Sequence, residues 1–475
     1  MTSAPPGSAR ELLKVSVPLI ISASVMTIQV CLDRVLLTWN GQNDVAASMP
    51  AIMLYFTVLG LFGMTVQYAT VFVSQYFGAK QFGNIGPMVW QALWLGLGFG
   101  IVFLVFAPFS DRLFEWTGHA PEVAALESQY FRALCYAALP ALILYAVNAY
   151  FSGLGFTWTV LIINAFGILV NLPLAYGWIL GKWGFPSLGT AGAGYATMCG
   201  CTASMVLGLI LLFTNKYARE YGLRRFTGIQ FERMRRLLRF GLPNGLMHLV
   251  DMTAWTTFVF LVGSMSKLES AATNIAFTIN LVSFLPLMGI GQGVEILVGR
   301  RQGEQKPDLS AKTTITGLKL AMLYAGAMSL AYFFFPTLFV IPFAMGSKPE
   351  EWAELSPVIL PLLTFMAIYT IADTVNIVVS FALRGAGDTR YVAMMGLALA
   401  WPCMVLPTYL ATKYGWGVRG AWTCATVYIG ILAVAFTLRF RSGKWRHMKV
   451  IEHREGEKAG FTAEKEEGTG ERQEL

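Results

Sequence analysis

Twelve apolar runs of about twenty residues follow one another along the chain, each closed by a short stretch richer in Gly, Pro and charge. A helix rising ~1.5 Å per residue needs about 20 residues to cross ~30 Å of hydrocarbon, so each run is long enough to span a bilayer. The pattern predicts spans near 15–38, 46–74, 87–108, 128–152, 159–181, 190–214, 240–263, 271–299, 313–336, 357–382, 391–412 and 420–438. Backbone in lipid has to satisfy its own hydrogen bonds, which makes every span a helix. The expected fold class is therefore an all-α polytopic membrane protein. A cleaved leader would be one shorter run with a processing site, and none of the twelve has that form.

The polar connections differ in charge on the two sides of this ladder. Arg10, Lys14, Lys80, the cluster from Lys216 to Arg239, Arg300, Arg301, Lys306, Arg384, Arg390 and the stretch Arg439–Lys449 fall on one side. The other side has few cations, among them Arg112, Lys182 and Lys348, set beside acids such as Asp111, Glu115, Glu350 and Glu351. Basic loops stay cytoplasmic, so both termini are expected in the cytoplasm and the protein in the plasma or inner membrane, crossing it many times.

Composition agrees with the pattern. Of 475 residues, 55% are hydrophobic and only 13% charged, far from the balance of a soluble domain. The formal net charge of +8 sits at membrane edges, which argues against a nucleic-acid partner. Six cysteines (Cys31, Cys135, Cys199, Cys201, Cys403, Cys424) lie mostly within spans and give no disulfide framework, and Cys199-Gly200-Cys201 alone is a weak metal signal. No resident metal or cofactor is expected, and no cluster of His, Cys or acids at ligand spacing suggests an enzyme.

Laying the chain over itself so that Leu12 falls on Leu237 pairs Leu12, Leu13, Pro18, Ala47, Ala51, Gln67, Val73 and Gly78 with Leu237, Leu238, Pro243, Ala272, Ala276, Gln292, Val298 and Gly303 without a gap. Farther on the register drifts by a few positions, as loop lengths would make it. There Gly153, Gly155 and Thr157 meet Gly385, Gly387 and Thr389, and Gly189, Gly192 and Ala193 meet Gly417, Gly420 and Ala421. An ordered series of this kind marks one half written twice. Six spans per half bring both halves into the membrane from the same side, so their pseudo-axis runs along the membrane normal, as in transporters built from parallel repeats. The expected domains are an N-lobe (1–214), a basic linker (215–239) with amphipathic character, a C-lobe (240–440) and a charged tail (441–475) too polar to bury a core.

Against this apolar background a few polar residues need an explanation. An Asp at a helix centre costs ~2.5 to 3.5 kcal/mol, and Asp33, Asp251 and Asp373 all lie within spans. A carboxylate that binds a proton or Na⁺ at one moment and a cationic solute at another makes the two compete, which is the basis of coupling. His248, three residues before Asp251, could hydrogen-bond it or relay its proton. Glu295, one turn before Arg300 and Arg301, is expected in an interfacial ion pair, with a coupling role second. Asn148 and Asn171 can ligate Na⁺ through their amide oxygens or join helices together. Pro18 and Pro243 interrupt the first helix of each half and are expected to bend it.

Taken together, these residues resemble the multidrug and toxic compound extrusion (MATE) family over about 10–440. The most specific match is Asp373 followed by Ser380-Phe381-Ala382-Leu383-Arg384-Gly385-Ala386-Gly387-Asp388-Thr389-Arg390, similar to the family's Asp and its Leu-Arg-Gly-x-x-Asp-Thr-Arg loop. Leu242-Pro243, Ala271-Ala272-x-x-Ile275-Ala276, Val298-Gly299 and Asn171-x-Pro173 are also family-like. The resemblance implies two six-helix lobes around a central cavity. It also implies an N-lobe cation or proton site at Asp33, Asn148 and Asn171, and a C-lobe site at Asp251, Asp373 and Tyr369. Asp251 stands where one branch has Glu, Ala175 where some members have a second acid, and Arg34 is an unusual neighbour, which leaves H⁺ or Na⁺ open as the coupling ion. The expected function is antiport export of amphiphilic, often cationic solutes by a monomer. The alternative is a flippase for a lipid-linked oligosaccharide or wall precursor.

Overall fold

The computed structural model describes residues 4–116, 119–346 and 349–452; the part of the expected tail from 453 to 475 lies outside the described residues. Twelve helices are long and apolar enough to cross a membrane: α1 (Ala9–Asn40), α2 (Ala47–Gly78), α3 (Phe82–Glu115), α4 (Pro121–Leu154), α5 (Thr157–Leu180), α6 (Gly189–Thr214), α7 (Phe231–Gly263), α8 (Lys267–Gly303), α9 (Pro307–Phe334), α10 (Trp352–Ala386), α11 (Thr389–Lys413) and α12 (Gly417–Arg441). Among the described residues there is no strand. An even number of spans leaves both chain ends on one side of the bundle, here called the terminal face.

Local signals account for the ends of these helices. Ser8 caps α1 by accepting from the Glu11 backbone N–H at 3.3 Å, and the Glu11 carboxylate accepts from Gly7 N at 2.8 Å. Ser266 caps α8 in the same way, through Glu269 N at 3.1 Å. Pro121 and Pro307 open α4 and α9, where a missing N–H costs nothing. Three spans are locally broken, α3 by a tighter turn over Ala107–Phe109. Tyr68 interrupts α2, and α11 carries a π turn over Trp401–Val405 around Pro402.

The twofold repeat is visible in atomic detail on the face opposite the termini. Asp44, just before α2, accepts from Thr190 N at the start of α6 (3.1 Å), and Glu269 at the start of α8 accepts from Val418 N at the start of α12 (3.0 Å). Asp44 and Glu269 are partners in the register that pairs Leu12 with Leu237, and Thr190 and Val418 are partners in the register that pairs Gly189 with Gly417. Gly189 and Gly417 precede the donors with positive φ (+54° and +64°), a conformation that leaves room for the carboxylate. Each acid satisfies an orphan N–H at the positive end of a helix. Replacing either by Ala should cost about 1 kcal/mol, the usual value of a cap. Asp44→Ala and Glu269→Ala are expected to lower the melting temperature of the full-length protein by similar amounts. A drop at only one site would show that the two clasps are not equivalent.

Between the lobes, α1 packs along α8 and α7 along α2. The terminal ends of α2 and α8 cross on the pseudo-axis. A Cβ at Gly78 would run into the Arg300 backbone and one at Gly303 into the Gln75 backbone, so only glycine permits this approach. Reciprocal hydrogen bonds flank the crossing: Gln75 Nε2 donates to Gly385 O (3.1 Å) and Arg300 Nη2 to Leu154 O (2.9 Å). Arg301 of α8 reaches Glu11 of α1 at 2.5 Å and Glu304 at 2.7 Å, forming a buried ion-paired cluster across the lobes.

Two sequence expectations are corrected. Residues 231–239, assigned to the linker, form the first turns of α7: Leu237 is buried, Arg233 donates to Asn84 at 3.1 Å, and Arg235 and Arg239 are exposed. The connection is therefore 215–230. The start of the tail, read as a chain too polar to pack, is anchored. Trp445 stacks on Phe440 with ring centres 4.9 Å apart and donates to Phe440 O at 2.8 Å, while Val450 and Ile451 are buried. Glu452 pairs with Arg236 and accepts through its carbonyl from Gln81 at 3.0 Å, touching both lobes. Three apolar residues outweigh the charges around them, which average composition conceals.

Candidate functional site

In the C-lobe, α7 and α10 bring Asp251 and Asp373 within electrostatic reach of each other. Asp373 is buried and accepts from Asn376 Nδ2 at 3.1 Å, one turn along α10. Tyr369, one turn the other way, faces both acids, as does Tyr428 of α12. Trp255 follows Asp251 by one turn, lies in hydrogen-bonding reach of it, and packs edge-on against Tyr369 with centroids 6.2 Å apart. The residues singled out from sequence here, Asp251, Tyr369 and Asp373, thus come together. Sequence reading missed Trp255, Asn376 and Tyr428. Helical spacing from the acids could have found the first two, whereas Tyr428 arrives from a helix that spacing cannot relate to them.

The N-lobe candidates are spread out. Asp33 is buried in α1 and faces Tyr130 of α4, and its Oδ1 has no hydrogen-bond partner among the described residues. Asn148 instead joins a chain across three helices: its Nδ2 donates to Asn164 Oδ1 (3.3 Å), and Asn164 Nδ2 donates to Ser22 Oγ (2.9 Å). Ser22 and Asp33 share one helix eleven residues apart, which at ~1.5 Å per residue separates them by about 16 Å. Asn171 is fully buried against Gly200 of α6, with neither amide atom bonded among the described residues. The three residues expected as one site therefore occupy at least two levels of the lobe. Ser22 and Asn164 were missed because a lone Ser and Asn carry no signal in a span.

Other candidates have different neighbours from those expected. His248 packs across the lobe interface onto Gly60 of α2, within electrostatic reach of Arg384. Glu295 faces Arg384, while Arg300 and Arg301 bind Leu154 O and Glu11. Arg384 donates to Asn244 Oδ1 at 2.9 Å, its backbone carbonyl accepts from Tyr68 at 2.9 Å, and its guanidinium lies 3.8 Å over Phe381. Within the same motif, Asp388 holds Arg439 of α12 through two hydrogen bonds of 2.6 and 3.3 Å. Arg384 and Asp388 of the motif thus tie helices together toward the terminal face, and Arg384 also lies within electrostatic reach of Asp251. Pro18 and Pro243 sit inside continuous helices, so the carbonyls of Lys14 and Arg239 one turn earlier lose their helical donors. An open apolar groove of about 470 Å³ runs between α7 and α11, lined by Thr257, Leu261, Trp401, Val405, Leu406 and Tyr409.

Two segments, residues 18–177 and 243–410, match the MatE family model, and they open on Pro18 and Pro243, the prolines that the internal repeat places on one another. The chain belongs to the MatE family. It is similar to the Probable multidrug resistance protein NorM of Agrobacterium fabrum, 26% identical over 423 residues that cover 88% of this chain and 90% of that protein. The corresponding protein of Xanthomonas axonopodis pv. citri is 27% identical and covers 92% and 96%. Among solved structures, an outward-facing multidrug resistance MATE family transporter of the MOP superfamily superposes with a TM-score of 0.82 at 19% identity, covering 94% of this chain and 98% of that one. A MOP superfamily transporter from Pyrococcus furiosus, described as having a binding pocket of reversed polarity, gives 0.81 at 19% identity and the same coverage. This MatE protein therefore shares the two-lobe, twelve-helix fold, and its family is one of transporters and not of enzymes.

Proposed function

We propose that this MatE protein is a secondary active exporter of amphiphilic, often cationic solutes, driven by H⁺ or Na⁺ entering in exchange. The reading rests above all on the convergence of Asp251, Asp373 and Tyr369 from α7 and α10. Two carboxylates within electrostatic reach of each other repel when both are ionised, and a proton, a Na⁺ or a cationic solute relieves that repulsion. Occupancy by one cation then excludes another, and coupling follows from that competition. Asp33 supplies a second, separate acid in the N-lobe, with Asn171 nearest it in level. Asn148 acts with Asn164 and Ser22 at a different level, and His248 and Glu295 take secondary roles at the lobe interface. Relatives named for multidrug resistance support the substrate class.

The lobes are residues up to 214 and from the first turn of α7 onward. They would rock about the 215–230 connection, with Pro18 and Pro243 as the points where their leading helices bend. The basic terminal face is assigned to the cytoplasm, with the protein a monomer spanning the plasma membrane. A flippase for anionic lipid-linked sugars would need buried cations free to bind them. Here Arg300, Arg301 and Arg384 are held by Leu154 O, Glu11 with Glu304, and Asn244.

The test is efflux of a fluorescent amphiphilic cation from proteoliposomes with imposed pH or Na⁺ gradients. Export is expected to follow one of the two gradients and to stop when an ionophore collapses it. Saturable flux that ignores both gradients would overturn the coupling.

A further inference from the structure

Residues 221–230 do not hang free below the bundle. They are strapped along the side of α3: Trp90 Nε1 donates to Leu223 O (3.1 Å), Trp94 Nε1 to Thr227 O (3.0 Å), and Gln91 both donates to Gly228 O (3.0 Å) and accepts from Gln230 N (2.9 Å). Phe226 closes over the two indoles with ring centres 5.1 and 5.9 Å away. Trp90 and Trp94 lie five and nine residues along the helix that starts at Ile85, about 8 and 14 Å from its end. The strap therefore folds back beside the terminal-face end of the spanning helix, and indoles at the end of a span mark the membrane interface.

Its outer side has two chemistries. Phe226, Ile229 and Phe231 are 70%, 69% and 79% exposed, an arrangement unfavourable against water. Immediately beside them Arg224 and Arg225 are exposed, with no carboxylate bonded to either among the described residues, and the acids of the segment, Glu220 and Glu232, are outnumbered by cations from Lys216 to Arg239. Apolar tips flanked by guanidinium groups at an interface fit one occupant: acyl chains for the rings and a phosphate for the arginines.

We infer that the strap is a binding site for an anionic phospholipid of the leaflet on the terminal face. Arg224 and Arg225 hold the headgroup phosphate, and Phe226 and Ile229 enter the acyl region. The site is independent of the transport acids and stands or falls apart from the export reading.

Native mass spectrometry of the full-length protein, titrated with phosphatidylglycerol or phosphatidylcholine, tests the assignment. Wild type is expected to retain phosphatidylglycerol preferentially. Arg224→Gln with Arg225→Gln should weaken that retention about 30-fold, the factor for two basic residues at an anionic surface. Arg224→Lys with Arg225→Lys should keep most of it, and an unchanged melting temperature would show that each variant is folded. Phe226→Ser with Ile229→Ser should weaken both lipids alike. Equal retention of the two lipids by wild type, or undiminished phosphatidylglycerol in the Gln variant, would overturn the proposal. So would displacement of the lipid by millimolar glycerol phosphate, since that would make the site one for a free phosphate.

Discussion

Asp373→Asn is expected to abolish gradient-driven export while leaving a folded protein. The amide has the shape of the acid and can still accept from Asn376, so packing around α10 is retained. What it lacks is the charge that a proton or Na⁺ neutralises. Removing a buried carboxylate also removes a burden of ~2.5 to 3.5 kcal/mol, so the melting temperature should hold or rise. Efflux in proteoliposomes should fall to the level seen without a gradient, at least about tenfold, the size of effect expected when an intramembrane coupling acid is lost. Asp251→Asn should act in the same direction, because it leaves Asp373 without the neighbour whose repulsion makes cation binding favourable. Asp33→Asn tests whether the N-lobe acid belongs to the same cycle. Unimpaired coupled efflux in Asp373→Asn would sink the proposed role of this pair.

The second large effect is expected at a residue that touches neither ion nor solute. Gly303→Ala puts a methyl group into the Gln75 backbone at the crossing of α2 and α8. Overpacking of this kind costs about 1–3 kcal/mol, and here the clash is with main chain, which has little room to yield. The strain exists only while the lobes are closed on the terminal face, so the closed population should fall by a factor of roughly 5 to 150 relative to states in which the ends separate. Spin labels at Lys80 and Gln305, both exposed, should report longer distances than in wild type. Gly78→Ala, the twofold image of this change, should do the same through Arg300. Unchanged distances in both variants would mean that the crossing does not gate the terminal face.

How much of this was legible in the sequence depended on the range of the interaction. Twelve spans follow from apolar length alone, and the internal repeat already paired Gly78 with Gly303. The clasps at Asp44 and Glu269 obey the same repeat. An acid at a helix start reads as an ordinary cap, however, and nothing local says that the helix it caps lies four spans farther along the chain. In the C-lobe, Tyr369 and Asp373 share one helix one turn apart, whereas joining Asp251 to them rested on resemblance. In the N-lobe the grouping of Asn148 with Asp33 rested on resemblance. Depth along a helix decides which residues meet, and the register of α4 against α1 is set by packing that no spacing rule conveys. The strap on α3 was visible only as a basic amphipathic stretch, because its order depends on two indoles that belong to a helix far earlier in the chain.

The anchored turn at 444–452 gives the molecule an intrinsic reporter of its own cycle. Glu452 is held at once by Arg236 of the C-lobe and Gln81 of the N-lobe, so it cannot follow both when the lobes part. A fluorophore attached there would change its surroundings whenever the lobes part. Truncating the chain before Trp445 to fuse a purification tag would remove that contact, and with it one of the ties that favour closure of the terminal face.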